Sequence, residues 1–563
     1  MFYDILNIAK SNKFSMKWIM YMFKENVKHK QQSLMDTTLW MNPKIREKLK
    51  KSWAPIYYEH VFCKIDEEPF AVLYGNTGKP NFPINILLSL EYIKHMKCCN
   101  DLELLDSFNF DYLVNYAVGI RTLGEMNLAE RTLYYFRERI YQYCLENPGN
   151  EDLLFGQFLT LLKEFSEEAG ILMNEQRTDT TFFMSNIKRA GRISLACDVL
   201  VQAVNAIPEN KRSESLSQIL EPDFKNKVLY RSKAQDGESR LSQLLSLCQE
   251  ALEILEADST LVNSDELRII RRFLNEQAIV ESESGKLVPK PRNDIKSGSL
   301  QSAYDEDATY RRKGNESHIG FSLELSETCV KKNEFQLITD YAVNPNNISD
   351  ANILPKRLET IRKNTGCTDM YVDGGFNSEG IREAAIKNNI EIHLTNMNGT
   401  EPTKKLSIDD YDIDESTNII QHCPGGYMPT RAGVSGGQTT AHFPHEVCIN
   451  CELRNSCHTK RLVKDYVVRI NLKAIDASRV RKQMKASIME NTSMRAGIEG
   501  SNSALKRKGL RKLDVRGIIK CNIVCGLKVT AQNIKRFIKF SLDGYKLKKS
   551  VKPNRRSIMP NYS

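Results

Sequence analysis

Tyr371-Val372-Asp373-Gly374-Gly375-Phe376 is a short apolar run that ends in a carboxylate followed by two glycines. Apolar residues leading into Asp and Gly-Gly predict a buried strand whose last side chain emerges at the carboxyl edge of a sheet, where the backbone must turn sharply. An acid at that edge is well placed to hold a cation. Two other acids have contexts that suit the same role. Asp179 lies in Glu175-Gln-Arg-Thr-Asp-Thr-Thr-Phe-Phe-Met184, a β-branched and aromatic segment that predicts a strand with the acid at its middle. Glu499 lies in Arg495-Ala-Gly-Ile-Glu-Gly-Ser-Asn-Ser-Ala-Leu-Lys506, where helical spacing puts Arg495, Glu499, Asn502 and Lys506 on one face. Gly497 and Gly500 flank that acid although each costs a helix about 1 kcal/mol relative to Ala, which points to close approach of a bulky group.

Outward from these stretches the chain alternates between helical and extended patterns. Residues up to about 70 carry Lys, Met and aromatics and no recognisable chemistry. Gly75 to Pro83 is a punctuating turn, with Pro83 suited to the first turn of a helix, and amphipathic segments through Ile93, Phe108, Val118 and Tyr143 predict an all-helical module. A further helix, Leu153 to Ala169, leads into the Asp179 strand. From Asn186 to about Gln277 the pattern is helical again, as an insertion. The extended pattern resumes with Ile319–Glu327 and Phe335–Val343 as an antiparallel pair, then a helix, the Asp373 strand, another helix and the strand Ile390–Leu394. This order, closed by the late Glu helix, matches a ribonuclease H-like core, a mixed sheet with helices packed on it.

With Asp in a first strand, Asp-Gly-Gly-Phe after a later one and an Arg-x3-Glu-x6-Lys helix, the sequence resembles the DDE transposases of bacterial insertion sequences, and in layout the family numbered eleven-eighty-two. The likeness runs from about Gly78 to Arg536 and includes Gly78-Lys-Pro-Asn-Phe-Pro83, Phe136-Arg-Glu-Arg139, Gln301-Ser-Ala-Tyr-Asp-Glu-Asp-Ala308 and a Cys cluster near 450. One departure is visible: where related families carry a Tyr three residues before the Arg of the Glu helix, this chain has Thr492. The resemblance implies a DNA transposase that cuts the ends of its own element and joins the freed 3′ ends to a target. Catalysis would rest on Asp179, Asp373 and Glu499 as ligands of Mg²⁺ or Mn²⁺. The partner would be double-stranded DNA, bound by a homodimer. Phosphate contacts are expected from Arg495, Asn502, Lys506 and Arg507 and, in an N-terminal DNA-binding module, from Arg137 and Arg139, whose alternative is surface ion pairing with Glu130 or Glu138. A DNA-binding copy that no longer cuts, and a hydrolytic nuclease on the same fold, are the competing readings.

The chemistry suits the ligands. Phosphodiesters resist attack because their anionic oxygens repel nucleophiles, and two divalent ions roughly 3.5–4 Å apart clamp the attacking and leaving oxygens of an in-line displacement. Hard cations take oxygen ligands. Asp305 and Asp307 are rival carboxylates, expected to organise a turn instead; Glu324, Glu327 and Asp340 are second choices.

Cys423, Cys448, Cys451 and Cys457 lie in an excursion rich in Gly and Pro. The Cys448-x2-Cys451 spacing and two further thiols predict a structural tetrahedral Zn²⁺ site, with His442, His445 and His458 as less favoured substitutes. Local Gly and Pro leave too little apolar surface for a core without a staple.

The fold class is therefore α+β. Residues 1–150 form an N-terminal all-helical, DNA-binding module and 151–400 the first part of a ribonuclease H-like mixed-sheet core, with a helical insertion at 187–290. A Cys-rich zinc insertion spans 401–474, the Glu helix and end of the core 475–540, and a basic tail 541–563. The 563 residues suffice for two to four such units. Between Ser501 and Ser563 stand 17 Lys and Arg against Asp514 and Asp543, a local charge of +15 within a total of +10, so the remainder carries −5. A basic end on an acidic body is the electrostatic footprint of phosphate binding. No apolar run approaches membrane-spanning length, the N-terminus lacks a secretory layout, and the 14 Cys form no disulfide framework. The expected location is the bacterial cytoplasm, at the nucleoid.

Overall fold

The computed structural model describes residues 23–550 apart from 32–33, 76–78, 150–151, 231–236, 283–284, 396–405 and 486–487. Gly78, at the start of the Gly-Lys-Pro motif, and residues 551–563 of the expected basic tail lie outside the described residues.

Helices α1 (Ile84–Lys97), α2 (Glu130–Glu146) and α3 (Leu153–Ala169) follow the predicted N-terminal pattern. Ten consecutive residues of α1, Ile84 to Ile93, are buried, so this helix is covered on all sides and carries no solvent stripe. Its neighbours include the central sheet: Leu88 and Phe158 belong to one continuous apolar core with Phe321, Leu325 and Ile534.

That sheet is built from β1 (Glu175–Phe183), β2 (Thr309–Lys313), β3 (Glu316–Thr328), β4 (Ile338–Pro345), β5 (Asp369–Val372) and β6 (Glu391–Leu394). The spatial order is β4-β3-β1-β5-β6, with β2 pairing the first part of β3. The β4–β3 and β3–β1 pairs are antiparallel, whereas β1–β5 and β5–β6 are parallel. Between β1 and β2 the chain makes the expected excursion, in which α4 (Arg192–Ala206), α5 (Gly237–Ala257) and α6 (Asp265–Gln277) close around a separate core containing Leu200, Leu245, Ile270 and Phe273.

The two faces of the sheet take different helices. Arg177 is registered against Glu327, and Asp179 lies two residues further on the same face. This face is covered by α9 (Ile488–Leu505) and α10 (Ile518–Ser550). The opposite face packs on α7 (Asp350–Thr365), which leads into β5, and α8 (Glu379–Lys387) joins β5 to β6. Asp305 and Asp307 do organise a turn: Asp305 accepts from Ser185 Oγ (2.5 Å) and the Gly517 amide (3.1 Å), and Asp307 accepts from the Ile518 amide (2.9 Å), which fixes the start of α10.

The Cys-rich excursion has a small core of its own. Residues 431–435, 438–444, 460–461 and 465–471 form a four-stranded sheet, and Tyr411, Ile420, Phe443, Tyr466, Val468 and Ile470 form a buried cluster beside it. The period-two alternation of 438–444 and 465–471 puts Ala441 and Phe443 on the same side as Val468 and Tyr466, so little apolar surface suffices. Among the described residues no helix is long and apolar enough to cross a membrane.

Glu324 stands out on the α7 face. It is 2% exposed and neither carboxylate oxygen has a hydrogen-bond partner. Burial, reinforced by Asp340 and Asp350, pushes its carboxyl well above the usual range, so the folded protein holds a proton there that the unfolded chain releases above about pH 4.3. The folded state then binds more protons than the unfolded one, and stability falls as pH rises from that value toward the folded pKa. Glu324→Gln removes this dependence. We expect its melting temperature to exceed that of the wild type by more at pH 8 than at pH 5; an equal difference at both would show that Glu324 is ionised in the fold.

Candidate active site

Asp179 points from the middle of β1, Asp373 stands one residue beyond the end of β5, and Glu499 sits on α9. One side chain joins all three. The Arg495 guanidinium, 17% exposed, places Nη2 3.2 Å from Asp179 Oδ1 and 3.7 Å from Asp373 Oδ2, and Nη1 3.3 Å from Glu499 Oε1. Asp373 is held by the turn that its sequence predicts: Oδ1 accepts the Gly375 amide at 2.7 Å and caps the short 3-10 turn Gly374–Phe376. Asp179 is partly buried, its side chain 17% exposed, and Glu499 is 65% exposed at the rim. Burial pushes the Asp179 carboxyl up, with Asp373 adding to the rise and Arg495 opposing it. Three acids from separate stretches of chain therefore surround one guanidinium; with Arg495 between them, one oxygen from each does not come within 4.8 Å of the other two.

The other residues of the α9 face divide. Asn502 is buried and donates from Nδ2 to Asp179 Oδ2 at 3.1 Å, so its amide orients the acid. Lys506 is half-buried, and burial, with Arg511 beside it, lowers its amine. Gly497 allows the close approach anticipated from the sequence: a Cβ there would collide with the Arg177 guanidinium. Gly500 has open space where a Cβ would go. Arg137 is committed elsewhere, to Glu91 and Asp101 at 2.7 Å each, in place of the surface partners Glu130 or Glu138. Arg139 lies over the Tyr74 ring at 4.4 Å.

With this geometry in place, comparison with known proteins gives one result. Residues 422–538 match the family model described as the transposase DDE domain. That segment contains Glu499, Arg495 and the Cys cluster, whereas Asp179 and Asp373 precede it. The match covers 117 of the 563 residues and is a likeness of that segment to the DDE domain of transposases. No curated protein and no solved structure matches the chain.

The rival acids of the DDE reading are occupied or turned away. Glu327 accepts from Arg177 and Arg536, Asp340 from Arg357 at 2.9 Å, and Glu324 faces α7. A further group of possible metal ligands, unforeseen from sequence, comprises Asp369, Glu391 and His393. Asp369 Oδ1 lies 2.9 Å from His393 Nε2. Asp369 opens β5 and Asp373 follows its end, about 13 Å further along an extended chain, so this group is a separate feature at the other edge of the sheet.

Cys423, Cys448, Cys451 and Cys457 line one small cavity of about 20 Å³. Burial, then the three neighbouring sulfurs, push the Cys448 thiol up to about 11. The sulfurs stand looser than a closed site: among the described residues only the Asp369 group brings three ligand atoms within 4.8 Å of one another. The three histidines are engaged elsewhere, His442 with Asp465 (2.8 Å), His445 with the Leu462 carbonyl (3.3 Å) and His458 with the Leu406 carbonyl (2.9 Å).

Proposed function

We propose that the protein is a DNA transposase of a bacterial insertion sequence, of the family numbered eleven-eighty-two, acting in the cytoplasm on nucleoid DNA. The observation that carries this reading is the single Arg495 guanidinium in contact with Asp179, Asp373 and Glu499. The strand order β4-β3-β1-β5-β6 with its parallel half supports a ribonuclease H-like core for the acids, and the transposase DDE match supports the class.

Divalent ions such as Mg²⁺ or Mn²⁺, when bound by the three acids, supply the charge that activates an attacking hydroxyl and stabilises the leaving oxygen. Asn502 keeps Asp179 oriented, the Gly375 amide keeps Asp373 oriented, and α9 carries Glu499 to the rim, where DNA arrives. Arg495 offers a planar fork suited to a phosphate, and Lys506 offers a point charge beside it. No covalent enzyme intermediate is needed. Joining two element ends calls for two such sites, hence a homodimer on DNA.

The test uses purified protein, labelled duplexes carrying the DNA that flanks the coding region, and Mg²⁺. Joined products support the reading. Nicks without joining replace it with a hydrolytic nuclease, and bound but unchanged DNA with a binding protein that no longer cuts.

For the four cysteines we propose structural Zn²⁺, supported by their shared cavity and by the engagement of the nearby histidines. Metal analysis of native protein should find about one Zn per chain, and Cys451→Ser should release it and lower the melting temperature. A zinc-free native protein with four titratable thiols would sink this.

A further inference from the structure

Beyond Glu499 the chain does something that the acids do not explain. Between Lys506 and Leu510 the helix is kinked: Lys508 (φ −93°, ψ 27°) and Gly509 (φ +85°, ψ 15°) leave helical geometry. Lys506 opens this kink seven residues after Glu499, and Arg507 and Lys508 line a separate cavity of about 660 Å³ between α1, α2, α10 and the kink. Some cations of its wall are neutralised: Lys94 by Asp101, Arg137 by Glu91 and Lys520 by Glu138. Four are not. Among the described residues Arg507, Lys508, Lys512 and Lys528 have no carboxylate within ion-pair distance. Lys508 Nζ donates instead to the Gln532 side-chain oxygen, and Lys528 Nζ to the Lys508 carbonyl at 2.9 Å. Both residues are partly buried, and burial lowers both amines, that of Lys508 to about 8.

Two exposed cations, Arg507 and Lys512, and two partly buried ones, Lys508 and Lys528, on one concave wall build a positive potential that a bound anion relieves. The helix that carries Glu499 and Asn502 runs directly into the kink that lines the cavity, so a polyanion that reaches the acids lies along the way to it. We propose that the cavity seats backbone phosphates of the DNA strand that continues away from the three acids, received by Arg507, Lys508, Lys512 and Lys528. The inference rests on the reading of the chain as a protein that acts on DNA and adds where the strand goes.

The test measures affinity for the flanking-sequence duplex against KCl concentration, in EDTA so that cleavage plays no part. Removing one cation that pairs with a phosphate should reduce the slope of log K against log[KCl] by about 0.9. Lys512→Gln with Lys528→Gln should therefore flatten it by between one and two; an unchanged slope in a folded variant overturns the proposal. A second readout needs no variant. Acetylation of wild-type protein should label Lys508 and Lys528, and bound duplex should suppress that labelling several-fold; equal labelling with DNA bound overturns the seat even if strand cleavage is observed. A protein that fails to cleave but shows the flattened slope and the protection retains the cavity and loses the catalytic reading. Absence of DNA binding overturns both.

Discussion

Asp373→Asn is expected to lower Mg²⁺-dependent strand cleavage by on the order of 10³-fold or more while leaving DNA affinity unchanged or slightly higher. The magnitude follows from the chemistry, since metal-borne charge stabilisation of the reacting phosphate is worth several kcal/mol and each 1.36 kcal/mol is about tenfold in rate. The substitution is conservative for the fold. Asp373 Oδ1 accepts the Gly375 amide at 2.7 Å, and an Asn carbonyl oxygen accepts it equally, so the turn is kept. The other oxygen, 3.7 Å from Arg495, becomes an uncharged NH2 that cannot ligate a hard cation. Affinity for DNA does not depend on that acid, which repels phosphate. Asp179→Asn should behave alike in cleavage, with a smaller benefit to binding because Asp179 is the more buried of the two. A single-turnover assay on end-labelled duplex measures both quantities, and cleavage by Asp373→Asn within tenfold of wild type would remove the metal assignment.

Much of this arrangement was legible in the sequence because its signals are local. The apolar run into Asp-Gly-Gly fixes a strand end and a turn by residue type alone, and the turn forms with Asp373 as its cap. The i, i+4 and i+7 spacing on α9 set Arg495, Glu499 and Asn502 on one face, where they meet the acids. What the sequence hides is the choice of partner across the fold. Arg137 has carboxylates near it in sequence, yet it bonds Glu91 and Asp101, 46 and 36 residues away, because helix packing decides which charges meet. Asn502, grouped by its spacing with the phosphate ligands, donates to Asp179, a partner 323 residues away that spacing cannot show. The four-stranded sheet of the Cys-rich excursion was hidden by Gly and Pro, since a small core needs few apolar side chains when strand alternation points them all one way. The Asp369 group was missed because its members are recruited from two parallel strands, a pairing that leaves no spacing signal within either.

The largest effect on stability should come from Glu327, which is 1% exposed. Its Oε1 accepts from Arg177 Nε at 3.0 Å, and its Oε2 from Arg536 Nη1 at 2.9 Å and from the Ser501 hydroxyl. Arg177 in turn donates to the Met494 carbonyl at 2.8 Å, directly beneath Gly497. One carboxylate thus ties β1, α9 and α10 to the strand that bears it. Glu327→Ala leaves the Arg177 and Arg536 guanidiniums facing each other without an anion, and breaking one partner of such a buried pair costs about 3–5 kcal/mol. Glu327→Gln keeps the volume but turns an NH2 toward donors, so it should recover only part of the loss. The penalty falls on the helix that carries Arg495 and Glu499; cleavage by the alanine variant should therefore decline at urea concentrations that leave the wild type active, before the global transition. Because the network is buried, high salt should not reproduce the effect. Urea titrations followed by circular dichroism and by cleavage in parallel decide it: coincident midpoints for wild type and Glu327→Ala would mean that α9 is held by its apolar contacts, among them Ile498 and Leu505, and that the ion network adds nothing to them.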